Sequence, residues 1–293
     1  MTWTADALAT SIRGRLLWRG FEARRAGRLP RSSRSQEITT LQTLWRRQID
    51  HAAGAFSVVD PGMAYLASHF RMGLTLERHL RVVDLLFPYI RGRVLEWGCR
   101  HGLDSCIYRM RRGKEVELHG CDVCDADDYR PFHDFSGLRY RRIHHPYLLD
   151  YDDASFDVVT SNGVLEHVPD DERSVAEVFR VLRPGGAFLI TCLPSRHSYT
   201  EALQRWHGAA AHDRLYTLAG ARAMLRRHGF AVSEARRLFV VPTMLNGASE
   251  TAKSAYEKAA PLVWASNAIL EHVWPLVLFA SNLMIVAHKR VRL

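Results

Sequence analysis

The run Val94-Leu-Glu-Trp-Gly-Cys-Arg-His-Gly102 ends an apolar stretch in an acid, Glu96, and then turns through Gly98 and Gly102. Glycine at such a turn lets backbone approach a ligand with no Cβ in the way. A helix predicted to begin beyond it offers unpaired N–H groups. Asp122 follows 24 residues after Gly98, at the end of the next apolar run. That spacing is close to the one at which an acid takes ribose hydroxyls in nucleotide-binding sheets. Further along, Asn162 and His167 follow another apolar run, Phe156-Asp-Val-Val-Thr-Ser161. An imidazole that titrates near neutrality can accept a proton from a nucleophile, so His167 is the candidate general base.

Glu96 bears on which ligand the turn receives. A carboxylate facing a pyrophosphate repels it, which argues against a nicotinamide dinucleotide, as does the lack of a full Gly-x-Gly-x-x-Gly. A donor carrying an ammonium and a sulfonium, with a ribose for Asp122 and no phosphate, suits the same wall. S-adenosylmethionine has these features. Methyl transfer from it is an in-line displacement that asks for alignment and for exclusion of water.

Residues 90–240 resemble the class I S-adenosylmethionine-dependent methyltransferases, in particular the small-molecule group that includes quinone-biosynthesis enzymes. Glu96-x-Gly98-x-Arg100-x-Gly102 is similar to the family's acid-x-Gly-x-Gly-x-Gly motif, and Asp122 to its ribose acid. Ser155-Phe-Asp-Val-Val159, Asn162-Gly-Val-Leu-Glu-His-Val-Pro169 and Leu182-Arg-Pro-Gly-Gly186 match its fourth strand, the segment after it, and the turn into its fifth. The resemblance implies a Rossmann-like, seven-stranded, mostly parallel sheet with an antiparallel last strand. It also implies a cofactor site of Glu96, Gly98, Arg100, Gly102, Asp122, His145 and Asn162. There are two departures. Arg100 replaces the motif's central glycine, either to pair with the methionine carboxylate or to point outward. His145 stands where an acid often meets the adenine amine.

The elements needed to position these groups are legible in the alternation of short apolar runs with helical patterns between residues 76 and 240, which means βαβ units and a parallel sheet. Strands are predicted at Arg93–Trp97, Val116–Asp122, Leu138–Ile143, Phe156–Ser161, Ala187–Leu193, Ala231–Val241 and Asn282–Ala287, with a helical insertion near 248–273. Residues 1–75 read as a basic helical extension, with a linker over Arg24–Ser35 and a helix over Ile38–His51; the sheet domain takes 76–293. Pro194–Tyr199 and His212–Thr217 are candidate acceptor segments. Their Arg196, His197, Tyr199, His212, Arg214 and Tyr216 would suit a polar or anionic molecule. Glu166 reads as structural or exposed.

The chain of 293 residues carries a net charge of +9, much of it in the first fifty residues. That basic arm, with Trp3, Trp18 and Phe21, fits either a lid on the core or contact with an anionic membrane, and the latter would go with a lipid-linked acceptor. No RGG repeat, zinc knuckle or base-flipping motif supports nucleic acid as a partner. The five cysteines include Cys121-x-x-Cys124 but no second pair, so no metal is expected and the thiols read as reduced. With no apolar leader and no uninterrupted span of membrane length, the expected location is cytoplasmic, with a membrane-peripheral variant. The leading expectation is a methyltransferase acting on a small or lipid-linked acceptor at oxygen. A non-catalytic cofactor-binding relative and a nicotinamide-dependent oxidoreductase are the alternatives.

Overall fold

A computed structural model describes residues 32–55, 63, 66–67, 70, 72–145, 147–208, 212–245 and 248–291. The basic arm with Trp3, Trp18 and Phe21 lies outside the described residues. In chain order the helices and strands are α1 (Arg34–Ala55), α2 (Gly73–Leu86), β1 (Gly92–Trp97), α3 (Leu103–Arg112), β2 (Val116–Asp122), α4 (Arg130–Ser136), β3 (Arg139–Arg142), β4 (Phe156–Asn162), α5 (Asp171–Val181), β5 (Leu182–Pro194), α6 (Tyr199–Trp206), α7 (Leu218–Arg227), β6 (Phe230–Leu238), α8 (Glu250–Lys258), α9 (Ala260–Leu270) and β7 (Asn282–Lys289). The strands form one sheet in the order β3-β2-β1-β4-β5-β7-β6. Strands β1 to β5 pair in parallel, and β7 runs antiparallel to both β5 and β6. The expected seven-stranded sheet with a reversed last strand is what the chain forms.

Central strands buried on both faces must be apolar along their length. Val94, Leu118 and Val158 face one side, where Leu80 and Val83 of α2 and Leu103 and Ile107 of α3 pack on them. Leu95, Val159, Phe188 and Ile285 face the other, beneath Val175 and Val178 of α5 and Leu225 of α7. Helix starts follow local chemistry: Asp170 accepts from Arg173 N at 3.0 Å to begin α5, and Thr217 accepts from Gly220 N at 3.0 Å to begin α7. Pro88 ends the helical run of α2 in a short 3-10 turn, Phe87–Tyr89.

Two boundaries differ from expectation. Helix α1 begins at Arg34, inside the stretch read as a linker, because its Leu41 and Leu44 are buried in the sheet domain's own core. Glu37 on α1 also makes a buried two-pronged ion pair with Arg111 of α3, at 2.6 and 2.8 Å. Leu182–Gly186, expected as a turn, is the bulged beginning of β5: Leu182 pairs with Phe156, and the register then shifts before Ala187 meets Val158. The five cysteines are all free, as predicted.

Candidate functional site

The carboxyl ends of β1, β2, β4 and β5 open into a cavity of about 1120 Å³. Such a crevice is where open parallel sheets receive ligands. The turn after β1 is built backwards onto β2: Gly98 N and Cys99 N donate to Cys121 O at 2.8 and 3.2 Å. Gly98 has φ +69°, and a Cβ there would lie 2.4 Å from Val164 Cγ2, so only glycine fits. Gly102, φ +68°, forms the N-cap of α3 and lies behind the cavity wall rather than on it. Arg100 adopts φ +39°, a left-handed conformation that favours glycine and is uncommon for other residues. The turn therefore keeps the shape a central glycine would give it, at some strain. Arg100 lines the cavity.

Three carboxylates converge here. Asp122 lies at the tip of β2; its Oδ2 accepts from Arg100 N and its Oδ1 from Val123 N, both at 2.7 Å. Those bonds lock the carboxylate while leaving each oxygen a further lone pair. Glu96 at the end of β1 is buried, and its Oε2 accepts from Ser105 N at 2.9 Å and from the Ser105 hydroxyl. Burial, and then the neighbouring charge of Asp104, push its carboxyl well above the usual range; Asp122 adds to this. Asp104, in the first turn of α3, was not singled out from sequence. Its Oδ1 lies 2.5 Å from His79 Nε2 of α2, and its Oδ2 accepts from Asn162 Nδ2 at 3.3 Å. The sequence signal was there, an acid six residues after Gly98, but helix N-termini attract acids for capping alone. Arg78 and His79 were also missed, since only the return of α2 to the sheet brings them to the cavity wall.

His145 lies on the cavity wall, and its Nδ1 accepts from Tyr147 N at 3.2 Å and Leu148 N at 3.1 Å. His167 lines the same cavity from the segment after β4, with its side chain 58% exposed. Burial, then the neighbouring His212 and Arg100, lower its imidazole's pKa below the ordinary value. Of the two readings of Glu166, structural or exposed, the exposed one fails: it is buried, lines the cavity, and is raised to about 7 by burial. Of the candidate acceptor residues only His212 lines the cavity. Arg214 instead donates to Leu165 O and Val168 O, at 2.9 and 2.8 Å, and Tyr216 donates to Leu165 O at 3.0 Å and Asp171 at 2.8 Å. Those donors tie down the His167 segment and are not available to an acceptor. The insertion α8–α9 does similar work. Asn267 bonds both N and O of Val241, at 2.8 and 3.0 Å, and Tyr256 donates to Pro242 O at 2.7 Å. This holds Pro242, Thr243 and Met244 against the cavity.

Among the predicted site residues, Glu96, Gly98, Arg100, Asp122, His145, Asn162 and His167 thus share one cavity. No helix among the described residues is long and apolar enough to cross a membrane.

Residues 68–235, more than half of the chain, match the family described as "Methyltransferase domain". The chain is 36% identical over 145 residues to a Mycolicibacterium smegmatis protein named "Probable S-adenosylmethionine-dependent methyltransferase", covering 48% of this chain and 51% of that protein. It is 35% identical over 105 residues to a ubiquinone biosynthesis O-methyltransferase of Alkalilimnicola ehrlichii, covering 34% of this chain and 41% of that one. The chain therefore spans about half or less of the curated relatives it matches. A solved SAM-dependent methyltransferase from Thermotoga maritima shares its fold, with TM-score 0.53 and 18% identity over 78% of this chain and 95% of that one.

Proposed function

Because the chain belongs to the class I S-adenosylmethionine-dependent methyltransferases, we propose that it transfers a methyl group from that cofactor to a hydroxyl oxygen of a small-molecule or lipid-linked acceptor. The observation that carries this reading is one cavity lined both by the carboxylates Glu96, Asp104 and Asp122 and by the neighbouring imidazoles His167 and His212.

The residues present fit the cofactor. A wall of three acids favours a cation and disfavours a pyrophosphate. Asp122, locked by the Arg100 and Val123 N–H groups, presents its remaining lone pairs to ribose hydroxyls. Asp104, oriented by Asn162, would supply negative potential for the ammonium and sulfonium, and Glu96, whose carboxyl burial raises, would add its charge once a bound cation favours the ionised form. Gly98 keeps the turn low enough for backbone to reach the ligand. Arg100 would pair with the carboxylate of the methionine moiety, and His145 would serve the adenine. When bound, S-adenosylmethionine supplies an electrophilic methyl group on sulfur. His167 Nε2 takes the hydroxyl proton of the acceptor as its oxygen gains the methyl.

Oxygen as the methylated atom is favoured by the need for a base, since a hydroxyl must lose a proton and a neutral imidazole can accept it. The ubiquinone-biosynthesis relative is an O-methyltransferase by name. A lipid-linked acceptor is supported by the exposed apolar ridge from α9 onward, where Leu262, Ile269 and Trp274 are 70%, 63% and 73% exposed. Leu262 and Ile269 lie on the insertion that braces the cavity at Val241 and Pro242, and Trp274 follows it.

Calorimetry with S-adenosylmethionine and transfer of labelled methyl to a panel of phenols, quinols and acyl-chain alcohols test the proposal. The expected outcome is saturable binding with transfer to one acceptor class. His167→Gln should leave cofactor affinity unchanged and lower turnover on the order of 100-fold. A folded protein that binds neither S-adenosylmethionine nor its demethylated product would overturn the reading.

A further inference from the structure

The part of the cavity around His167 and His212 holds more than a base. Glu166, His167 and His212 each place one ligand atom within 4.8 Å of the others. Glu166 is almost wholly buried, its side chain 1% exposed, and its Oε2 has no hydrogen-bond partner. A buried, unpartnered carboxylate oxygen is costly unless a donor or a cation meets it. His212 is prepared in a particular way. Its Nδ1 lies 3.0 Å from Glu201 Oε1, so the Nδ1–H donates to that carboxylate and the Nε2 lone pair is left for something else. A carboxylate behind the far nitrogen of an imidazole is the arrangement that fixes metal-ligating histidines. Helix α6 brings Glu201 to this place, and Glu201 is itself buried.

From this juxtaposition we infer that Glu166, His167 and His212 form a divalent-cation site at the acceptor end of the cavity, with Glu201 orienting His212. Two imidazole nitrogens and one carboxylate oxygen suit Zn²⁺, or Fe²⁺ and Co²⁺ in the same geometry, better than Mg²⁺, which prefers oxygen ligands and keeps its water. Three protein ligands leave a coordination position open, as in catalytic rather than structural zinc sites. The carboxylates of Glu166 and Glu201 offset the positive charge that Arg100 brings near His167.

The inference rests on reading this end as the acceptor end, and it refines the chemistry there. A hydroxyl oxygen in the open position has its O–H acidity raised by the ion. The proton then leaves to solvent, and His167 serves as a ligand while the ion is bound. No expectation from sequence pointed here, because Glu166 and His167 are adjacent, whereas His212 is 45 residues on and separated from them by β5 and α6.

Cobalt(II) is the probe. Full-length protein dialysed against EDTA is titrated with CoCl₂, and the visible ligand-field absorption is read. One equivalent per chain, with an intense four- or five-coordinate spectrum displaced by Zn²⁺, is expected. His167→Ala, at a half-exposed position that the fold does not need, should abolish the spectrum. Glu201→Gln should weaken the ion roughly 10- to 100-fold, the usual effect of losing a carboxylate behind a ligating histidine. No stoichiometric binding, or a spectrum unchanged in His167→Ala, would overturn the site. Calorimetry with S-adenosylmethionine on the same samples separates the two claims. Cofactor binding without cobalt binding removes the ion and leaves the methyltransferase reading; cobalt binding without cofactor binding does the reverse.

Discussion

Replacing Asp122 by Asn tests the cofactor end most directly. In the structure this carboxylate has two oxygens and two backbone donors, Arg100 N and Val123 N, each at 2.7 Å. One acceptor site per oxygen then remains for the two ribose hydroxyls. An asparagine keeps one oxygen and turns the other position into a donor. If its oxygen stays on Arg100 N, its amide faces Val123 N, donor against donor, and at least one charge-assisted contact to the ribose goes with it. Hydrogen bonds to a charged group contribute about 1.5–3 kcal/mol, so the dissociation constant for S-adenosylmethionine should rise roughly 10- to 150-fold. The demethylated product should lose as much, because it has the same ribose, and that equality separates a ribose contact from a general loss of negative charge. Titration calorimetry of both ligands against parent and variant is the assay, with near-UV circular dichroism to show that the turn is intact. An affinity within twofold of the parent in a folded variant would refute the reasoning; a selective loss for S-adenosylmethionine alone would reassign Asp122 to the sulfonium.

Glu96→Gln should separate function from stability. A carboxyl that folding raises above its ordinary value of 4.5 stabilises the protein fully only below that value, and its contribution declines as pH rises toward the folded value. The variant should therefore melt higher than the parent at pH 8, equally at pH 4, and lose affinity for the cationic cofactor more than for its thioether product; equal melting at both pH values would count against the buried acid's cost. Glu37→Ala leaves Arg111, 4% exposed, with only half-exposed Asp84 at 2.9 Å. Removing one partner of a buried pair costs about 3 kcal/mol, read as a lower urea midpoint with unchanged cofactor affinity. Burial would raise Glu37, but Arg111 outweighs it and holds the carboxyl below its ordinary range, so the pair's contribution should be present above about pH 4.5 and lost as pH falls further.

The sheet was legible because strands buried on both faces must be continuously apolar. The runs ending at Trp97 and Asp122 therefore announce strands, and Gly98 announces the turn. The motif residues around that turn are local in sequence, so Glu96, Gly98, Arg100 and Gly102 could be named together, and β1 beside β2 brings Asp122 to them. His145, Asn162 and His167 follow the same rule, as residues just past the tips of β3 and β4.

The acceptor end obeyed no such local rule. Composition marked His212, Arg214 and Tyr216 alike as polar donors. Burial and the carbonyls of Leu165 and Val168 decided that Arg214 and Tyr216 would hold the backbone and that only His212 would reach the cavity. Asp104, His79, Glu166 and Glu201 acquired their roles through contacts between α2, α3, α6 and the segment after β4. Alternation and spacing along one chain report which face of an element is buried and what its tip carries. Which polar side chains then find partners, and which are left buried without one, depends on how separate elements close upon each other, and that is set by packing in three dimensions.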